Sequence, residues 1–126
     1  VAAKLNCPFV YVRPEPKKHG RKNQIEGELT KNSKVVVVED LISTGKSSLN
    51  SVKAIRDQNT EVLGMIAIFN YGFERSVKEF ETLNVDLNTL SDYEFLLTEA
   101  LKQKIINPSV LDDLKKWRKS PENWNN

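Results

Sequence analysis

The chain has 126 residues, 39% hydrophobic and 29% charged, with a formal net charge of +2. This is the length of one domain and the composition of an ordinary globular protein. So small a charge gives no electrostatic footprint for nucleic acid or an anionic membrane, no apolar run reaches the roughly 18 residues a membrane helix needs, and no basic-apolar leader opens the chain; the setting expected is cytoplasmic.

Val1, Ala2, Ala3, Lys4 and Leu5 read as the last turn of a helix, closed by Asn6 and followed by Pro8. A helix without a beginning is expected of a segment from a longer chain. Cys7 is the single cysteine, so no internal disulfide forms, and its expected role is that of a small packed hydrophobe. Residues 9–13 are predicted to form a short strand. Residues 14–31 are polar and rich in Lys, Arg, Pro and Gly, which predicts a loop that is mobile without a ligand. Residues 33–39 are predicted to be the central strand, and residues 47–57 a helix with apolar positions at Leu49, Val52 and Ile55.

Residues 62–70 predict a second buried strand. Phe73, Val77 and Phe80 then mark an amphipathic helix. Residues 85–90 read as a short edge strand. Ser91 and Glu94 have capping-box spacing, opening a helix to about Lys104. Asn107 and Pro108 start a last helix, with Val110, Leu111, Leu114 and Trp117 on its apolar face. The expected organisation is a core domain over residues 1–119, with the loop at 14–31 and a frayed polar tail at 120–126. Strands alternating with helices predict an α/β fold, a Rossmann-like parallel sheet flanked by helices.

The segment from Val35 to Ser48 carries the chemistry. Val35, Val36, Val37 and Val38 form a continuous apolar run, as expected of a strand buried on both faces. Glu39 and Asp40 follow, at the strand end where open α/β sheets bind ligands. Ser43, Thr44, Gly45, Lys46, Ser47 and Ser48 then supply small side chains and hydroxyls where a helix begins. Backbone N–H groups at such a start make an anion site. Gly45, Lys46 and Ser47 look like the end of a Walker A loop. That motif needs a glycine five residues before the Gly-Lys pair, and Asp40 stands there, where it would repel phosphate. Paired acids after a buried strand also have no packing purpose, so an ordinary strand-turn-helix does not account for them.

The run Glu39, Asp40, Leu41, Ile42, Ser43, Thr44, Gly45, Lys46, Ser47 resembles the phosphoribosyl diphosphate (PRPP) signature of type I phosphoribosyltransferases. Upstream, Tyr11, Arg13, Lys17, His19, Gly20, Ile25, Glu26 and Gly27 resemble, in register, the catalytic loop of the orotate phosphoribosyltransferases. Ala67 to Gly72 and Leu90 to Tyr93 are similar to later segments of that family. The resemblance implies a type I phosphoribosyltransferase core lacking its N-terminal region, which in complete members adds part of the site; the present segment alone is expected to be inactive. It implies transfer of ribose 5-phosphate from PRPP to orotate, giving orotidine 5′-monophosphate and diphosphate in pyrimidine biosynthesis.

In that scheme Lys17, His19 and Asp40 are catalytic. Arg13, Lys17 and His19 meet the diphosphate, and Glu39 and Asp40 the ribose hydroxyls. Leu41, Ile42, Ser43, Thr44, Gly45, Lys46 and Ser47 hold the 5′-phosphate, with Ser43 also reaching orotate. Mg²⁺ is the implied cofactor, bound through PRPP without a direct protein ligand, and a homodimer the implied assembly. The family pattern is broken where Pro14 replaces a second Lys and where Arg75 stands out of register for an orotate carboxylate partner. A purine-type phosphoribosyltransferase would lack the Lys17 and His19 loop. A PRPP-sensing regulator would have no use for those two residues.

Overall fold

A computed structural model of the chain describes residues 1–14 and 24–124. Lys17, His19 and half of the predicted loop (residues 15–23) lie outside the described residues, as do the last two residues of the tail. The first helix, α1 (Ala2–Leu5), ends as predicted at Asn6, which turns left-handed with φ 52°. Two short strands, β1 (Tyr11–Val12) and β2 (Ile25–Glu26), pair antiparallel, with Tyr11 opposite Glu26 and Val12 opposite Ile25. The far end of the polar segment is therefore structured, and Ile25 is buried.

Strands and helices then alternate: β3 (Lys34–Ile42), α2 (Lys46–Arg56), β4 (Glu61–Asn70), α3 (Glu74–Thr82) and β5 (Leu87–Asp92). The three strands form one parallel sheet in the order β3-β4-β5. Helices α4 (Tyr93–Lys102) and α5 (Pro108–Lys119) follow, and a 3₁₀ turn at Pro121–Asn123 occupies the predicted tail. The core joins Leu49 and Val52 of α2, Phe80 of α3, and Ile42, Met65 and Ala67 of the sheet. The three-residue spacing of Leu49, Val52 and Ile55 buries all three, because it keeps them on one side of α2.

Several expectations are corrected. β4, not β3, is the central strand of the described sheet. The valine run of β3 is covered on one face only: Val35 and Val37 are half-buried, while Val36 and Val38 are 48% and 53% exposed. The same face of β4 leaves Ile66 and Ile68 exposed. The reason is that the core-forming residues of α2 and α3 meet the Met65 and Ala67 side of the sheet, and the other side has no comparable cover among the described residues. The cap of α4 is Asp92, whose side chain accepts from Phe95 N–H at 2.8 Å. Ser91 cannot serve, because α4 begins at Tyr93 and the capping position is the residue directly before it. Cys7 is exposed rather than packed, in a stretch where its neighbours from Lys4 to Phe9 are exposed as well.

The last two helices are anchored by aromatic rings. Trp117 of α5 lies 5.7 Å from Tyr71, 5.8 Å from Phe73 and 5.4 Å from Tyr93 between ring centroids. α5 has no fully buried residue; besides these ring contacts it is held by Tyr93 Oη, which donates to Leu114 O at 3.4 Å, and by Arg118 Nη2, which donates to Glu94 Oε1 at 2.9 Å. Burial raises the pKa of the Tyr93 hydroxyl above its ordinary value, and Tyr71 adds to the rise while Arg118 opposes it.

Candidate functional site at the carboxyl end of the sheet

The carboxyl ends of β3 and β4 are tied together. Tyr71 N–H donates to Ile42 O at 3.0 Å, just past the last ladder pair. Asn70 Oδ1 accepts from Gly72 N–H at 2.8 Å, so the chain turns sharply off β4 beside the β3 loop. Sequence reasoning assigned no function to this turn; the Asn-x-Gly spacing is the signal that marks it.

At the end of β3 the two acids diverge. Glu39 aligns with Ala67 on the helix-covered side and is half-buried, while Asp40 is exposed. A strand alternates its side chains, so two adjacent carboxylates address different sides of the sheet edge. The alternation then breaks: Leu41 is 43% exposed and Ile42 is fully buried. Ile42 thus brings no side chain to a surface site, and its carbonyl is taken by Tyr71.

The loop has the features of an anion cradle. The N–H groups of Ser43, Thr44 and Gly45 donate to no other described residue. Those of Lys46, Ser47 and Ser48 occupy the first turn of α2, which has no intrahelical acceptors. Thr44, Lys46 and Ser47 are exposed and Ser43 is half-buried, while Ser48 is buried. Gly45 starts α2 in a left-handed conformation, φ 78°, with no side-chain cap competing for the amides. A Cβ there would stand 2.7 Å from Phe80 Cε2 and 3.1 Å from Ser76 Oγ. Glycine is required both by the backbone angle and by the helix packed beneath. The outward amides and the helix dipole favour negative charge at this spot.

Among the described residues the predicted cations fall in two places. Arg13 sits on the β1–β2 ribbon, paired to Glu26 with Nε donating at 2.7 Å. Arg75, in the first turn of α3, donates to Glu79 at 2.8 Å, a contact that raises its pKa. It lines an open cleft of about 1300 Å³ with Thr44, Lys46, Asn50 and Lys53, and that cleft includes none of Glu39, Asp40 and Ser43. Arg75 is therefore not gathered with the acids. Among the described residues no cluster of three or more His, Cys, Asp or Glu side chains could cage a metal.

A parallel sheet with two acids near the carboxyl end of β3 and an amide-lined turn beyond it defines an α/β domain with a candidate anion site at that edge. The comparison with known families makes this specific: the phosphoribosyl transferase domain model matches residues 1–104, and the chain belongs to that family. It is 52% identical over 124 residues to an orotate phosphoribosyltransferase of Porphyromonas gingivalis, a match covering 98% of this chain and 59% of the relative. A Bacillus pumilus orotate phosphoribosyltransferase is 49% identical over 125 residues, again covering 98% and 59%. The chain thus spans about three fifths of the length of these relatives. Among solved structures, orotate phosphoribosyltransferase from Aeropyrum pernix superposes with a TM-score of 0.69 at 32% identity, over 78% of this chain and 54% of that one. The Mycobacterium tuberculosis orotate phosphoribosyltransferase in complex with PRPP gives 0.59 at 27% identity, over 71% and 50%. No helix among the described residues is long and apolar enough to cross a membrane.

Proposed function

We propose that the full-length protein carrying this chain transfers ribose 5-phosphate from PRPP to orotate, forming orotidine 5′-monophosphate and diphosphate in pyrimidine biosynthesis. The single observation that carries this reading is the identity of about half to orotate phosphoribosyltransferases over 98% of the chain. The site geometry supports it. In the reaction the bond from the anomeric carbon to diphosphate breaks and a bond to the orotate nitrogen forms, with positive charge on the ring between.

The amides and hydroxyls of Ser43 to Ser47 would hold the 5′-phosphate, fixing the sugar against the sheet edge. Leu41 would flank it, and Ile42 would act only by placing the loop. Asp40, the exposed acid, would accept from the ribose hydroxyls and favour the cationic ring. Glu39 would meet the sugar from the helix-covered side. Arg13, Lys17 and His19 would neutralise the departing diphosphate, and Ser43 would reach the orotate. Mg²⁺, bound to PRPP oxygens, would spread the charge of the leaving group. The assembly in this reading is a cytoplasmic homodimer, and the residues relatives carry outside this span complete the site, so the 126-residue chain alone is inactive.

The test follows orotate absorbance with PRPP and Mg²⁺, using the full-length protein. Loss of orotate with diphosphate release is expected. Turnover of adenine, hypoxanthine or guanine in its place, with orotate untouched, would refute the assignment in favour of the purine type. PRPP binding without consumption of any base would indicate a regulator.

A further inference from the structure

The β1–β2 ribbon contains a side-chain pair to which the transfer scheme gives no role for one member. Arg13 Nε donates to Glu26 Oε1 at 2.7 Å, and Arg13 Nη2 stands 2.5 Å from the same oxygen. Glu26 faces Tyr11 in the register, so Arg13 and Glu26 are diagonal neighbours on one face of the ribbon. The backbone is fixed as well: Arg13 N–H donates to Gln24 O at 2.8 Å, and Gln24 Nε2 donates back to Arg13 O at 2.9 Å. Both charged side chains remain 40% exposed.

We infer that Glu26 is a positioning residue, holding one edge of the Arg13 guanidinium so that the opposite edge is presented to the diphosphate of PRPP. The inference rests on the phosphoribosyl-transfer reading above. A free arginine must give up its rotamer freedom to bind an anion. The carboxylate of Glu26 removes that freedom beforehand, through hydrogen bonds strengthened by charge. Its grip is side-on, on Nε and Nη2, and Nη1 makes no hydrogen bond among the described residues. The planar fork can therefore serve the carboxylate and a phosphate together. A carboxylate that competed with the diphosphate for Arg13 would have the opposite effect: neutralising it would tighten PRPP.

Steady-state kinetics of the full-length enzyme with Glu26→Gln, Glu26→Asp, Arg13→Ala and the Arg13→Ala/Glu26→Gln double variant decide the matter. Glu26→Gln is expected to raise KM for PRPP about tenfold, the scale of one charge-assisted hydrogen bond, and to leave KM for orotate unmoved. Glu26→Asp, which keeps the carboxylate, is expected to recover most of the PRPP affinity, and gives a second reading if the Gln variant does not fold. In the Arg13→Ala background the Glu26 change is expected to add less than about twofold, because the route through Arg13 is already gone. A PRPP KM in Glu26→Gln equal to or below wild type overturns the inference. So does an equal effect of Glu26→Gln with and without Arg13, which is what a role of Glu26 that does not pass through Arg13 would give. Wild-type protein that leaves orotate untouched would sink the functional reading itself, a different result from active wild type with an indifferent Glu26.

Discussion

Gly45 joins the fold to the proposed phosphate site, and replacing it with alanine tests both. Its φ of 78° is left-handed, which for a residue with a Cβ costs about 1–2 kcal/mol. The new methyl would also stand 2.7 Å from Phe80 Cε2. Phe80 is a buried core ring, and overpacking of this kind costs about 1–3 kcal/mol. Gly45→Ala should therefore lose about 2–5 kcal/mol in all, read as a lower urea midpoint at unchanged slope. The two causes separate by design. Gly45→Asn keeps the clash but tolerates the left-handed angle, so it should recover about 1 kcal/mol. Phe80→Leu opens space, so the double variant Gly45→Ala/Phe80→Leu should be less destabilised than the sum of the singles. PRPP protection against thermal unfolding should fall in every Gly45 variant, since the amides beside it move. A Gly45→Ala protein with wild-type stability and wild-type PRPP protection would refute the argument.

Asp40→Asn in the full-length protein should lower kcat about a hundredfold, the scale of one lost transition-state contact; a kcat equal to wild type would contradict a role for Asp40 at the cationic ring. Trp117→Ala should cost about 3 kcal/mol, the low end for a large ring because this one is only half-buried, and should expose α5 first to hydrogen exchange; protection of α5 equal to wild type would refute the aromatic anchor. The folded pKa of Tyr93 is raised by burial, so its neutral form is favoured in the native state. That contribution is complete below the unfolded value near pH 10 and is lost as pH rises through the folded value. From about pH 10 up to the folded value, Tm should fall more steeply in wild type than in Tyr93→Phe, and parallel curves would exclude the residue. Mixing full-length Lys17→Ala with full-length Asp40→Ala, each inactive alone, should restore activity if the loop serves a neighbouring subunit in a dimer; a mixture that stays inactive would place the loop in its own subunit's site.

The sequence by itself determined much of the local structure and where the candidate site lies. Asn6 marked a helix end, and three-residue spacing gave the buried side of α2. The order of valines, acids, small residues and helix located the candidate site, because each of these signals acts through nearest neighbours along the chain. Tertiary structure decided what covers what. A run of valines looks the same whether one face is packed or two, so the exposure of Val36 and Val38 depends on where α2 and α3 lie. The cap of α4 moved from Ser91 to Asp92 because β5 runs on to that residue, and strand pairing with β4 sets where it stops. Arg13 could be read as a cation near diphosphate from its place in a motif, but not as the partner of Glu26. That contact spans 13 residues and exists only because β1 and β2 pair in one register, which depends on long-range hydrogen bonds that no local pattern specifies.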